Sequence, residues 1–551
     1  MLPAAADPIR EGRLSALSLS DLPVDAPTEQ RRSVRRGRYT VVLAAFGMVI
    51  TAWSLATPLM ASPDESAQVA QAAAVVRGQF DEPHVRVPSG TVSFVKVPAW
   101  VLSGYLLPNC FAFKPDHPAG CHVQVPAAGP TTQAPTQFSN YPPLYFLWTG
   151  LPSLWLTGTT AMHAMRLMAV LANAVLLALG IFLLARFHPR RSALIGALVA
   201  VTPMVLFLSS VVNNSGIEIT AAFAAWCGGL CVIEQRKVPR ALGLWTSVTF
   251  AVFILSRPLS PVNAAVVLAV LAVLAGRRRL RTLGVDPGAR CIGLTVALSM
   301  LVAGVFLAVG GLPGLLGYPL KVPLSFGTAF HEVLLRDPSR LQQGIGLFGW
   351  TDTPLPHSVP TVWIVLTTIL CLVGLVRSFR FRRGLPLLAL AIFLMPVIFE
   401  IPKINAVGAY WQGRYWLPLL VGIPLTAAAS RSTRAHARPV ALLPPLTAAL
   451  VRGIAIVAIC ATVAWAQIDT FLLALHRYTV GLNAPASAPQ AWAPLGGISA
   501  TVALFITGEV LIVVALAWWC IRPQASLGDV RLHRFQLLPI RKSATEQTTA
   551  T

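Results

Sequence analysis

The sequence predicts an all-α integral membrane protein with about twelve transmembrane helices, and three observations carry that reading. Of 551 residues, 55% are apolar and only 12% are charged, with a mean hydropathy of +0.66; a soluble domain carries about 25% charged residues. Apolar runs long enough to cross roughly 30 Å of hydrocarbon recur along the chain. The basic clusters fall between these runs so that all of them lie on one side, as the positive-inside rule requires.

Taken in order, residues 1–38 are polar, Pro-containing and Arg-rich with no apolar period, which predicts a disordered basic cytoplasmic tail. Spans are expected near 39–60, 163–185, 192–212, 217–233, 241–256 and 259–276. Six more are expected near 291–311, 361–376, 385–400, 415–429, 448–468 and 498–520, within a membrane domain covering 39–521, followed by a cytoplasmic tail at 522–551. The small residues around Ala61 imitate a signal-peptidase site, but the preceding polar stretch is too long, so an uncleaved first helix is expected. The apolar run from Tyr141 to Gly158 is barely long enough to span. If it crossed, the cluster Arg31 to Arg38 would be separated from every other basic cluster, so it is expected to re-enter or lie on the surface. With 43 Lys and Arg against 21 Asp and Glu, the net charge of +22 then reports topology, with both termini cytoplasmic and no nucleic-acid partner.

Three external segments, 61–162, 312–360 and 469–497, are longer than connections need to be, and loops of that length are more often functional. The first holds Cys110 and Cys121 on the oxidising side, where a disulfide is the expected state; metal binding is the rival, with no second CxxC or His pair nearby. Directly after the first span stands Ser62-Pro63-Asp64-Glu65. One reading is a capping box, with Ser62 as N-cap, Glu65 three residues on, Pro63 in the first turn and Gly78 ending the helix. The other is that Asp64, Glu65 or both face a cavity at the outer leaflet, where a carboxylate acts as general base on a hydroxyl. The two are compatible.

Other polar groups converge on the same level. Glu218 follows the break Ser209-Ser210-Val211-Val212-Asn213-Asn214, and Arg257 stands between the fifth and sixth spans. Asp352 lies in Phe348-Gly349-Trp350-Thr351-Asp352, and Gln412, Arg414 and Tyr415 share one outer turn. Asp352 also suits an Asx-turn, and Trp350, Trp411 and Trp416 suit an interfacial aromatic belt. Arg257 and Arg414 border spans on the side that disfavours arginine, where a guanidinium fork matches a lipid phosphate. No Walker A loop, zinc constellation or GxSxG elbow is present, so the energy for any reaction arrives in the substrate.

Trp53 to Glu65, the Tyr141-Pro142-Pro143-Leu144-Tyr145 segment, Phe348 to Asp352 and Gln412 to Tyr415 resemble a bacterial multi-pass membrane family, domain of unknown function 2142, over roughly residues 40–520. That family is similar in turn to the GT-C glycosyltransferases, among them aminoarabinose and protein O-mannosyl transferases. The resemblance implies a GT-C-like fold with surface-lying helices in the first external loop. It also implies transfer of a sugar from a polyprenyl-phosphate donor to an envelope glycan, lipid or protein acceptor outside the cytoplasmic membrane. Residue by residue, it implies Asp64 as catalytic base, with Glu65 and Glu218 as companion acids. Arg414 and, more weakly, Arg257 become phosphate ligands, with Asp352, Gln412, Tyr415 and Tyr141 as further substrate contacts. A divalent metal ion at the acids is left open by the resemblance. The chain departs from it in the position of Glu218, several residues beyond the usual acid, and in having no large soluble C-terminal domain. A transporter or flippase for lipid-linked glycans is the alternative; it predicts polar residues through the depth of several spans and repeats, whereas the polar groups here concentrate outside. A scaffold role is a third.

Overall fold

The computed structural model describes residues 28–80, 82–121, 123–127, 129–311, 314–430 and 445–521, which form a helical bundle with its long loops gathered at one end. The tail segments 1–27 and 522–551 and the basic cluster 431–438 lie outside the described residues. Helix α1 (Thr28–Ala56) begins ahead of the expected residue 39, because the Arg-rich stretch before the span consists largely of good helix formers.

The first long loop holds α2 (Glu65–Val75), α3 (Ala99–Gly104), α4 (Leu144–Gly150) and an antiparallel sheet of β1 (Val85–Val87), β2 (Gly90–Pro98) and β3 (Thr131–Thr136) in that order. Along β2 the side chains alternate as a half-buried strand requires: Val95 and Val97 are buried while Phe94 and Lys96 are exposed. Cys110 and Cys121 are disulfide-bonded. Helix α4 has only 7 residues, about 10 Å of rise, and a 3-10 turn follows it, so the Tyr141 to Gly158 segment forms no helix long enough to cross a membrane.

The bundle continues through α5 (Gly158–Phe187), α6 (Ser192–Ala200) and α7 (Pro203–Ser209), then α8 (Asn214–Glu234), α9 (Arg240–Ile254), α10 (Ser260–Val285) and α11 (Pro287–Gly310). The expected span at 192–212 is broken: α6 and α7 meet at 64°, because Pro203 cannot continue the helical ladder and pushes Thr202 into an extended conformation. Helix α8 is buried along almost its whole length and sits at the centre; Gly180 of α5 packs against Phe223, where an added Cβ would lie 2.6 Å from the ring. Helix α11 instead turns Leu294, Leu298, Leu301 and Val305 outward, the surface of a helix solvated by lipid.

In the middle loop α12 (Phe326–Ile345) buries Ala329 and Val333 and exposes Phe326 and Leu335; it is followed by the hairpin β4 (Leu347–Phe348) and β5 (Thr353–Pro354). Then come α13 (Ser358–Arg377), α14 (Phe379–Phe399), α15 (Ile404–Val407), α16 (Leu417–Leu420), α17 (Gly422–Ala429), α18 (Pro445–Thr479) and α19 (Ile498–Ile521). Helix α18 runs past the expected end at 468, which carries Arg477 into its last turn and shortens the late loop. Among the described residues nine helices are long and apolar enough to cross a membrane, ten if the bent α6–α7 pair is one span. The remaining two expected spans, in α9 and in α16–α17, are shorter apolar helices. Trp53 pins the loop-bearing end, packing edge-on to Phe207, Phe471 and Phe505 and tilted on Phe348, so α1, α7, β4, α18 and α19 meet on one indole.

Candidate active site at the loop-bearing end of the bundle

The chain leaves α1 through Thr57-Pro58 and reaches Asp64 in a left-handed conformation, φ 68°. That region is unfavourable for residues with a Cβ and is best tolerated by Asn and Asp. The turn aims the two neighbouring acids in opposite directions. Glu65 points inward, 1% exposed, and Arg166 of α5 grips it with Nε and Nη2, each 2.7 Å from a carboxylate oxygen. The Val212 amide also donates to Glu65, and the rest of Arg166 is spent on the carbonyls of Ser54, Thr57 and Pro58, the open end of α1. The capping box is not formed: Asp64, not Ser62, precedes the helix, Ser62 Oγ finds no partner among the described residues, and the Glu65 carboxylate is engaged by Arg166 instead. Gly78 does follow the end of α2, at φ 84°.

Asp64 points outward and remains partly open, its side chain 29% exposed. One oxygen accepts from Arg414 Nη2 at 2.5 Å and the other from Gln137 Nε2 at 3.1 Å. Asn213 steadies the turn by donating to the Pro63 carbonyl.

Arg414 comes from a 3-10 turn, Gly413–Tyr415, held against α12. The Gly413 amide donates to Gln343, and a Cβ at Gly413 would lie 2.1 Å from the Arg340 carbonyl, so only glycine permits the approach. Arg340 binds Glu400 at 2.6 Å, and Glu400 accepts from the Trp411 amide, tying α12, α14 and the turn together.

Glu218 is fully buried on the first turns of α8 and accepts from Arg257 at 3.0 Å, Ser260 at 2.8 Å and Asn263 at 3.0 Å. Two guanidiniums pack on the Tyr415 ring, that of Arg257 at 4.9 Å and that of Arg414 at 5.3 Å from its centroid. Burial works against the charge on Arg257, and Glu218, Tyr141 and Tyr415 more than restore it, leaving its proton affinity above the usual range. The same balance, with Tyr415 and Asp64 opposing burial, raises that of Arg414. Burial also raises the Tyr141 phenol above its usual range, against the pull of Arg257. Both arginines keep unused donors: Nε and Nη1 of Arg414 and Nε of Arg257 are buried with no acceptor among the described residues. The arrangement is a carboxylate beside two charged forks with spare hydrogens, suited to an anion and a hydroxyl together.

The structure thus brings Asp64, Glu218, Arg257, Arg414, Tyr415 and Tyr141 together, with Gln412 half-buried just before the Arg414 turn. It sets Glu65 behind them and pairs Asp352 with an arginine of α18. Asp352 accepts from Arg477 at 3.0 Å and from the Thr353 hydroxyl. Arg477 also binds the carbonyls of Phe111, Lys114 and His117, closing the loop that the disulfide brackets. Arg166, Arg477 and Gln137 are not among the residues that the sequence singles out. The two arginines carry the same signal as Arg257, a cation at the end of an apolar run; Gln137 carries none. Among the described residues no group of three or more His, Cys, Asp or Glu converges, and Asp64 and Glu218 each face an arginine, a donor set unsuited to a divalent cation.

A family described as "Predicted membrane protein (DUF2142)" matches residues 46–423. The chain belongs to the DUF2142 family. The matched region of this DUF2142 protein runs from α1 to just beyond the Arg414 turn and contains every residue of the Asp64 cluster. No curated protein matches. Among solved structures the chain is similar to ArnT from Cupriavidus metallidurans, in the apo state and bound to undecaprenyl phosphate. Each has 13% identity and a TM-score of 0.42, with 88% of this chain and 77% of ArnT covered.

Proposed function

We propose that this DUF2142 protein is a GT-C-type glycosyltransferase that moves a sugar from a polyprenyl-phosphate donor to a hydroxyl of an envelope glycan, lipid or protein. The reaction takes place on the outer face of a bacterial cytoplasmic membrane, with both termini inside. The observation that carries the reading is the partly open Asp64 carboxylate beside the unused buried donors of Arg414 and Arg257.

The donor phosphate binds those free N–H groups, and Arg414 shifts its charge from Asp64 to the phosphate. Asp64 then accepts the proton of the acceptor hydroxyl as its oxygen bonds to the anomeric carbon. The bond from that carbon to the phosphate oxygen breaks, and its electron pair leaves on the polyprenyl phosphate, stabilised by the two guanidiniums. Glu218 holds Arg257, Tyr415 packs against the two cations, Tyr141 and Gln412 line the approach, and Glu65 and Asp352 hold the frame without touching substrate.

The test is transfer of radiolabelled sugar from polyprenyl-phosphate donors to envelope acceptors, in membranes of a deletion strain complemented with wild type, Asp64→Asn or Arg414→Ala at matched expression. Activity restored only by wild type supports the proposal. Equal transfer in the deletion strain and every complemented strain rejects it for those donors and favours transport of lipid-linked glycans.

A further inference from the structure

At the end of the bundle away from Asp64, helix α10 breaks at Gly276, which adopts φ 72°, and an arm of residues 277–285 continues from it. Arg279 fastens the arm to the end of α8 by donating to the carbonyls of Val232 and Ile233 at 3.0 and 3.2 Å and to that of Gln235. Leu280 and Leu283 of the arm then roof a cavity of about 540 Å³ between α8, α9, α10 and α11. Its walls are almost wholly apolar, and its size lies within the range of ligand-binding cavities. Val232, on its wall, lies about 21 Å along α8 from Glu218, so this is a place separate from the site above.

Three features say what fills it. Leu294 on the wall is exposed towards the bilayer, so the opening faces lipid. Thr246 lines the cavity about two turns into α9, but its hydroxyl is buried against Gly228 of α8, so the wall presents apolar surface that suits a hydrocarbon chain. Around the mouth, segments 234–240 and 277–290 carry eight basic residues against two acids. Both acids are occupied, Glu234 by Arg190 and Asp286 by the amides of Val238, Gly288 and Ala289, whereas Arg277, Arg278, Arg281 and Arg290 are exposed. Apolar walls with a cationic rim at the bilayer surface match an anionic headgroup with its chains inserted.

We infer that the cavity between α8, α9, α10 and α11 binds an anionic glycerophospholipid, its acyl chain between the helices and its phosphate on the arginine rim. The inference is independent of the proposed transferase activity. The test is native mass spectrometry of the full-length protein titrated with phosphatidylglycerol or phosphatidylcholine. Two variants accompany it: R277Q/R278Q/R281Q, which changes only exposed side chains, and Gly293→Trp, placed where an added Cβ meets nothing within 4 Å.

Wild type should hold phosphatidylglycerol more tightly, and its affinity should fall about fivefold for each charge removed, with phosphatidylcholine unchanged. Gly293→Trp should weaken both lipids by filling the cavity; if that variant does not fold, the arginine variant decides. Equal affinity of wild type for the two lipids, an unchanged affinity in the arginine variant, or displacement of phosphatidylglycerol by equimolar polyprenyl phosphate would overturn the inference.

Discussion

Asp64 and Glu65 are neighbours in the chain and opposites in the fold. Glu65 is saturated: both oxygens are held by Arg166, a backbone amide adds to one of them, and 1% of the residue is exposed. Asp64 has two partners and an open side, and the arginine that holds it has hydrogens to spare. A buried ion pair with every valence used can hold helices together, but has nothing left to offer a substrate. An ion pair with unused donors can exchange partners. Of two consecutive acids, the one suited to chemistry is the one the fold leaves incomplete.

The sharpest break in that comparison is removal of the base. Asp64→Asn should lower transfer by about 10²- to 10⁴-fold while the protein remains folded, measured as turnover at matched expression. Glu65 and its partner should fail in the other way. Arg166→Ala strands a buried carboxylate and should cost about 3–5 kcal/mol of stability, read as loss of monodisperse protein and a lower melting temperature. If Arg166→Ala instead left stability intact and abolished only transfer, Glu65 would belong to the chemistry and the contrast would collapse.

Asp352 sharpens the comparison from a third position. Asp352→Ala should cost about 1.5–3 kcal/mol, the value of a hydrogen bond to a charged group, and expose the loop around Cys110 and Cys121 to protease, with the donor KM unchanged. The smallest effect is expected at the ring that both cations contact. Tyr415→Leu should weaken donor binding by about 0.5–2 kcal/mol, seen in KM rather than kcat.

Much of this was legible because bilayers impose simple rules. Length and apolarity located the spans, and the distribution of arginine sorted their ends, so Arg257 and Arg414 stood out as cations on the wrong side. Arg166 and Arg477 are less conspicuous by the same rule, since both lie within long helices instead of in loops. The bent α6–α7 span turned on Pro203, visible in sequence but silent about angle. The capping box satisfied every local preference and still did not form, because a guanidinium more than a hundred residues away binds a carboxylate more strongly than a backbone amide does.

Sequence alone determined that the chain is a helical membrane protein, where its helices run, and which end collects acids and arginines, because transfer of side chains into hydrocarbon depends on residue type and little else. Only the tertiary structure decided which acid meets which arginine. That pairing depends on how α2, α5, α8, α12 and the Arg414 turn pack, and a single left-handed residue between the helices sends one carboxylate into the frame and leaves its neighbour open.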